Sequence, residues 1–192
     1  MRRRDFLAFA ASAAACASAG AGAGAAGGIA DVKPGDIVFR RGLDSDVITQ
    51  TILKWSPRAS GGRWSHAGVV TTDLSASVVH AMPAAGSYIE PWESFSSPRQ
   101  SAGVAIVRLR DAELAGAIAE AAQALAGRLF DDKLLLSDGG ERLYCTELVW
   151  RATKNAGFEL RPAMISAWPF YPEKIIHPDS LFDALENVAD VV

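Results

Sequence analysis

Ser65-His66-Ala67-Gly68-Val69-Val70 and Ser77-Val78-Val79-His80-Ala81-Met82 are two short apolar runs joined by a polar turn. Rich in β-branched residues and bounded by turn formers, they read as a β-hairpin. With the pivot near Asp73, His66 and His80 stand opposite one another on paired strands and project from the same face. Two adjacent imidazoles suit nucleophilic catalysis, since one ring takes a proton while the other, or a carboxylate, holds it in the useful tautomer. The plainer reading of each is a hydrogen-bonded core histidine.

Outward from the hairpin the pattern stays mixed. Pro34-Gly35 breaks the chain before Asp36-Ile37-Val38-Phe39-Arg40, a strand by its Phe and β-branched content. From Asp44 to Trp55 the positions Val47, Ile48, Ile52 and Trp55 recur at helical spacing, with Asp44 as the expected N-cap. Gly103 to Leu109 is a further strand. Asp111 to Ala126 is an Ala-rich helix capped by Asp111 and ended by Gly127. Cys145 to Ala156 is a helix with Leu148, Val149, Ala152 and Ala156 on one side, closed by Gly157. Strands follow one another between helices, so the class is α+β, an antiparallel sheet packed on helices.

The chain has 192 residues, and its first thirty differ from the rest. Arg2, Arg3 and Arg4 precede Phe6-Leu7 and an apolar run, and twelve of the nineteen residues from Ala8 to Ala26 are Ala. Residues 1–30 therefore read as an export signal, of the twin-arginine type, with an Ala/Gly-rich leader. The expected location is periplasmic or secreted. A lipid anchor at Cys16 is the lesser reading, because the bulky aliphatic residue usual in a lipobox is missing before it. Residues 31–192 form one domain. Setting aside Arg2, Arg3, Arg4 and Asp5 leaves 16 basic and 21 acidic residues with no basic cluster, which argues against nucleic acid as a partner. No run beyond the leader is long enough for a transmembrane span.

Beyond the leader Cys145 is the only cysteine, at the expected N-terminus of a helix. Backbone N–H groups and the dipole there favour thiolate, the nucleophilic form. Against this stands a small buried apolar cysteine. A zinc site using His66, His80 and Cys145 is a rival, weakened by the lack of a tight ligand cluster. No metal or other cofactor is called for. His177, before Pro178-Asp179-Ser180, reads as the structural lead-in to a capped helix.

In the order Ser65-His66-Ala67-Gly68, Val79-His80-Ala81 and Tyr144-Cys145-Thr146-Glu147, the chain resembles the circularly permuted branch of the NlpC-type papain-like cysteine hydrolases. The nearest sub-family is YiiX/YebB-like, with lecithin retinol acyltransferase a distant relative. Pro34-Gly35-Asp36-Ile37-Val38-Phe39, Phe130-Asp131 and His177-Pro178-Asp179-Ser180-Leu181 extend the resemblance over nearly the whole domain. It implies a permuted papain-like fold, with the Cys-bearing helix C-terminal to the His-bearing strands. By the same resemblance Cys145 is the nucleophile, His66 the general base and His80 the orienting residue. Tyr144, Glu147 and Trp64 are pocket candidates, each with a structural alternative. The implied activity is hydrolysis of an amide or ester through an acyl-enzyme, on a peptide (a cell-wall peptide for an exported enzyme) or an acyl substrate. The alternatives are a lipid esterase or acyltransferase and a non-catalytic ligand-binding module.

Overall fold

Gly35 turns the chain into the first strand. Its φ is +82°, and a Cβ there would lie 2.0 Å from the Ala115 carbonyl oxygen, an approach that only glycine permits. The computed structural model describes residues 31–73, 76–166 and 173–192. The expected leader, Met1–Ala30 with its Cys16, lies outside the described residues. Asp31–Val192 forms one compact unit.

A six-stranded antiparallel sheet runs in the order β10-β5-β1-β2-β3-β4. Its members are β1 (Ile37–Arg41), β2 (His66–Val70), β3 (Ser77–Met82), β4 (Gly86–Pro91), β5 (Gly103–Arg108) and β10 (Asp190–Val191). The helices are α1 (Val47–Lys54), α2 (Trp92–Phe95), α3 (Ala112–Gln123), α4 (Cys145–Asn155) and α5 (Pro178–Glu186). Two small pairs complete the chain, parallel β6 (Leu129–Phe130) with β7 (Arg142–Leu143) and antiparallel β8 (Met164–Ser166) with β9 (Lys174–Ile176). The class is the expected α+β, with the Cys-bearing helix α4 C-terminal to the His-bearing strands β2 and β3.

The period of two along each strand gives the sheet two unlike faces. Phe39, Ala67, Val69, Val79 and Val107 join the core with Ile118 of α3, Leu148 and Val149 of α4 and Phe182 of α5. Phe39, Trp64 and Phe182 meet as an aromatic group, with Phe39 edge-on to Phe182 at 5.0 Å. The alternate positions, Arg40, His66 and His80, belong to the other face, against Phe95 of α2. Burial alone stabilises each of the large apolar side chains by roughly 1.5–3 kcal/mol.

Three local readings change. Asp46, not Asp44, caps α1, accepting from the backbone N–H groups of Ile48 and Thr49; Asp44 instead pairs with Arg41. β4 and α2 carry no expectation from the sequence, since Gly86-Ser87-Tyr88-Ile89-Glu90-Pro91 is weakly patterned and ends in Pro. That Pro is tolerated because β4 is an edge strand. The hairpin register also differs. Val69 pairs with Val79 and Val70 with Val78, so His80 stands across from Gly68 and not from His66. The slip is two residues, which preserves the face. A Cβ at Gly68 would lie 2.5 Å from Val78 Cγ1 and 3.1 Å from His80 Cβ, so the glycine makes the room that His80 occupies.

Candidate active site

Two clamps set the start of α4. Tyr144 accepts through its hydroxyl the backbone N–H of Ile176 at 3.1 Å, and the Thr146 hydroxyl donates to the Ile176 carbonyl at 2.6 Å. Cys145 lies between them, first residue of the helix and partly exposed. The start of β2 is fixed in the same manner. Ser65 donates its N–H to the Arg40 carbonyl and accepts from Gly42 N–H, while buried Asp179 of α5 accepts from the N–H groups of Arg63 and Trp64. Both strand and helix thereby deliver their functional side chains from rigid supports.

His66 Nε2 lies 2.7 Å from His80 Nδ1, with the rings nearly perpendicular. The pair is therefore joined diagonally across the hairpin. His80 is fully buried and its Nε2 lies 3.0 Å from Glu90 Oε1. Glu90 accepts from the Ser94 hydroxyl at 2.9 Å and faces the Arg40 guanidinium at 3.7 Å. Arg40 is 5% exposed, donates to the Phe95 carbonyl and the Gln100 side chain, and lies over the Phe95 ring. Glu90 and Arg40 were not anticipated as site residues. Arg40 closes an apolar strand and Glu90 sits in the unrecognised edge strand, where the alternation of Tyr88 and Glu90 was the available signal.

The electrostatics favour a neutral resting site. Burial, reinforced by the His80 ring and the Arg40 charge, holds His66 well below the ordinary imidazole value. Burial also lowers His80, against the opposing pull of Glu90. Glu90 is itself held below the usual carboxylate range: burial works against it, but the close approach of His80, the Ser94 hydrogen bond and the Arg40 charge prevail. Burial pushes the Cys145 thiol up, although the backbone N–H groups of Ala67 and Thr146 face the sulfur and Arg40 is near. The helix-end activation expected from position is present but outweighed by desolvation.

Cys145, His66 and Arg40 wall one cavity of about 310 Å³. Through Ile48, Ile52, Pro83 and Phe130 it meets a larger apolar groove of about 590 Å³ beside α1. Val47, Ile48 and Leu129 line that groove while 77%, 51% and 63% exposed, an unusual concentration of large apolar side chains.

Residues 31–180 match a family described as permuted papain-like amidase enzyme, YaeF/YiiX, C92 family. The chain belongs to the permuted papain-like amidase family. Its coarse activity is that family's, hydrolysis of amide bonds. No curated protein matches the chain. Within this amidase the pocket candidates fall away from the cavity. Trp64 is 8% exposed and packs on Phe39 and Phe182 in the core. Tyr144 is spent on Ile176. Glu147 is fully buried and pairs with Arg151 at 2.7 Å, its carboxyl raised to about 7 by burial despite that partner. His177 caps α5, its Nδ1 accepting from Asp179 N–H and its Nε2 donating to the Ile52 carbonyl. Among the described residues no three His, Cys, Asp or Glu side chains converge to hold a metal ion.

Proposed function

We propose that the chain is an exported thiol hydrolase in which Cys145 attacks the carbonyl of an amide or ester whose acyl part is apolar. The observation that carries this reading is a cavity walled by both Cys145 and His66 that shares Ile48, Ile52, Pro83 and Phe130 with an adjoining apolar groove. His66 takes the thiol proton as the sulfur bonds to the carbonyl carbon. The tetrahedral oxyanion is met by the backbone N–H of Cys145, at the positive end of α4. The proton then passes from His66 to the departing amine or alcohol, leaving an acyl-enzyme. Water, deprotonated by the same ring, releases the acid and regenerates the thiol. His80 orients His66. Export rests on the basic and Ala-rich residues 1–30.

The groove favours a lipid-like acyl amide or ester over a polar peptide, because its floor offers apolar contact worth about 0.8 kcal/mol for each buried methylene. A series of N-acyl amides and acyl esters of increasing chain length tests this. Turnover should rise with chain length and vanish in Cys145→Ala. Turnover of polar cell-wall peptides alone, with acyl substrates untouched, would overturn the acyl assignment. Full activity in Cys145→Ala would overturn the thiol mechanism.

A further inference from the structure

A buried carboxylate stands behind the two histidines. His80 Nε2 and Glu90 Oε1 are each fully shielded from solvent and 3.0 Å apart; the contact lies off the ring N–H axis, yet neither atom has another hydrogen-bond partner among the described residues. An ionised carboxylate only accepts, so its neighbour must donate. We propose that Glu90 is a positioning residue that fixes the tautomers of both histidines, leaving Nδ1 of His66 as the ring nitrogen free to take the Cys145 proton. This rests on the thiol-hydrolase reading above.

The deduction runs along three contacts. Glu90 is kept ionised by the Ser94 hydroxyl, which donates at 2.9 Å, and by Arg40, whose guanidinium does not lose its charge in proteins. His80 therefore carries its proton on Nε2, toward Glu90. A neutral His80, which its burial enforces, then has a bare Nδ1. At 2.7 Å that bare nitrogen can only accept, so His66 donates from Nε2. A neutral His66 has its lone pair on Nδ1, for which no hydrogen bond is recorded among the described residues. Each ring has two tautomers, and a single fixed acceptor at the end of the line selects one for both. With the acceptor removed, His66 is free to adopt the opposite tautomer, whose protonated Nδ1 cannot act as base. Glu90 touches neither substrate nor sulfur; it acts through His80.

The test reads the tautomers directly. In the full-length protein with 15N-labelled histidine, nitrogen shifts at pH 7.5, assigned with single His variants, should show Nε2 protonated and Nδ1 bare in both His66 and His80. A proton on Nδ1 of either ring overturns the proposal. Glu90→Gln keeps the shape but presents an amide that can also donate, so mixed tautomers should appear. In that variant kcat on an acyl substrate should fall by about tenfold to a hundredfold with KM little changed, and Glu90→Asp should recover part of the loss. Unaltered tautomers and kcat in Glu90→Gln, or a loss confined to KM or thermal stability, overturn it as well. The tautomers are read without substrate, so a protein that turned over nothing would count against the hydrolase and not against the lock.

Discussion

Acidification should destabilise this protein steeply, and one buried glutamate should blunt the effect. The chain has three histidines, all buried in the folded state and all lowered from the ordinary imidazole value. Below about pH 6.5 the unfolded chain binds protons on these rings that the folded chain refuses. The unfolded state then holds more protons, so stability is lost as the pH falls. Glu147 works the other way. Its folded carboxyl is protonated below about 7, its unfolded one only below about 4.3. In this range the folded state holds that one extra proton. Toward pH 5 the net excess in the unfolded chain approaches about two protons at most, an upper bound of roughly 3 kcal/mol lost per pH unit. Glu147→Gln removes the opposing proton and should steepen the slope by about one proton, on the order of 1 kcal/mol per unit. Urea unfolding of both proteins at half-unit steps between about pH 6.5 and 5 measures it. The offset between the curves reflects the lost Arg151 pair; the slope is the readout. No net proton uptake on unfolding toward pH 5, or equal slopes in the two proteins, would refute the neutral buried histidines.

Alkylation of Cys145 by iodoacetamide should stay slow near neutrality and rise only at alkaline pH, because burial pushes the thiol up; an acid-side plateau would contradict this. Gly68→Ala should destabilise by about 1–3 kcal/mol through overpacking against Val78 and His80 and should lower activity further by displacing His80; a neutral effect on both chemical denaturation and turnover would remove the glycine's assigned role. Asp179→Ala should cost more than about 3 kcal/mol, because it strands the buried N–H of Trp64, the Arg63 N–H and the Ser56 hydroxyl at once; calorimetry checks it.

The face that carries the candidate site was legible in the sequence because its signals are local. Two histidines of equal parity on a hairpin share a face whichever nearby register forms, so the slip that moved His80 opposite Gly68 left the pair intact. Cys145 announced itself by preceding a strongly amphipathic helix. What could not be read there depends on contacts distant in sequence. Glu90 meets His80 only because β4 folds back along β3, and Arg40 reaches Glu90 only because two further strands lie between β1 and β4. The thiol's charge state depends on contacts of the same kind, since burial pushes it up. A helix end is visible in a sequence, whereas the depth at which it is buried is not. Trp64, Tyr144 and Glu147 adjoin the motifs, yet strand and helix periodicity turns each toward the core or a structural clamp.

The hold of Asp179 on the segment leading into His66 has a bearing on when the enzyme becomes competent. Asp179 belongs to α5, while the residues it grips lie in the first half of the domain. Synthesis proceeds from the N-terminus, so the histidine hairpin leaves the ribosome well before the helix that seats its approach. Cys145, the proposed nucleophile, also comes late. Until both Cys145 and Asp179 have emerged, the proposed base has neither its sulfur nor its brace, so the site assembles only after position 179 has been made.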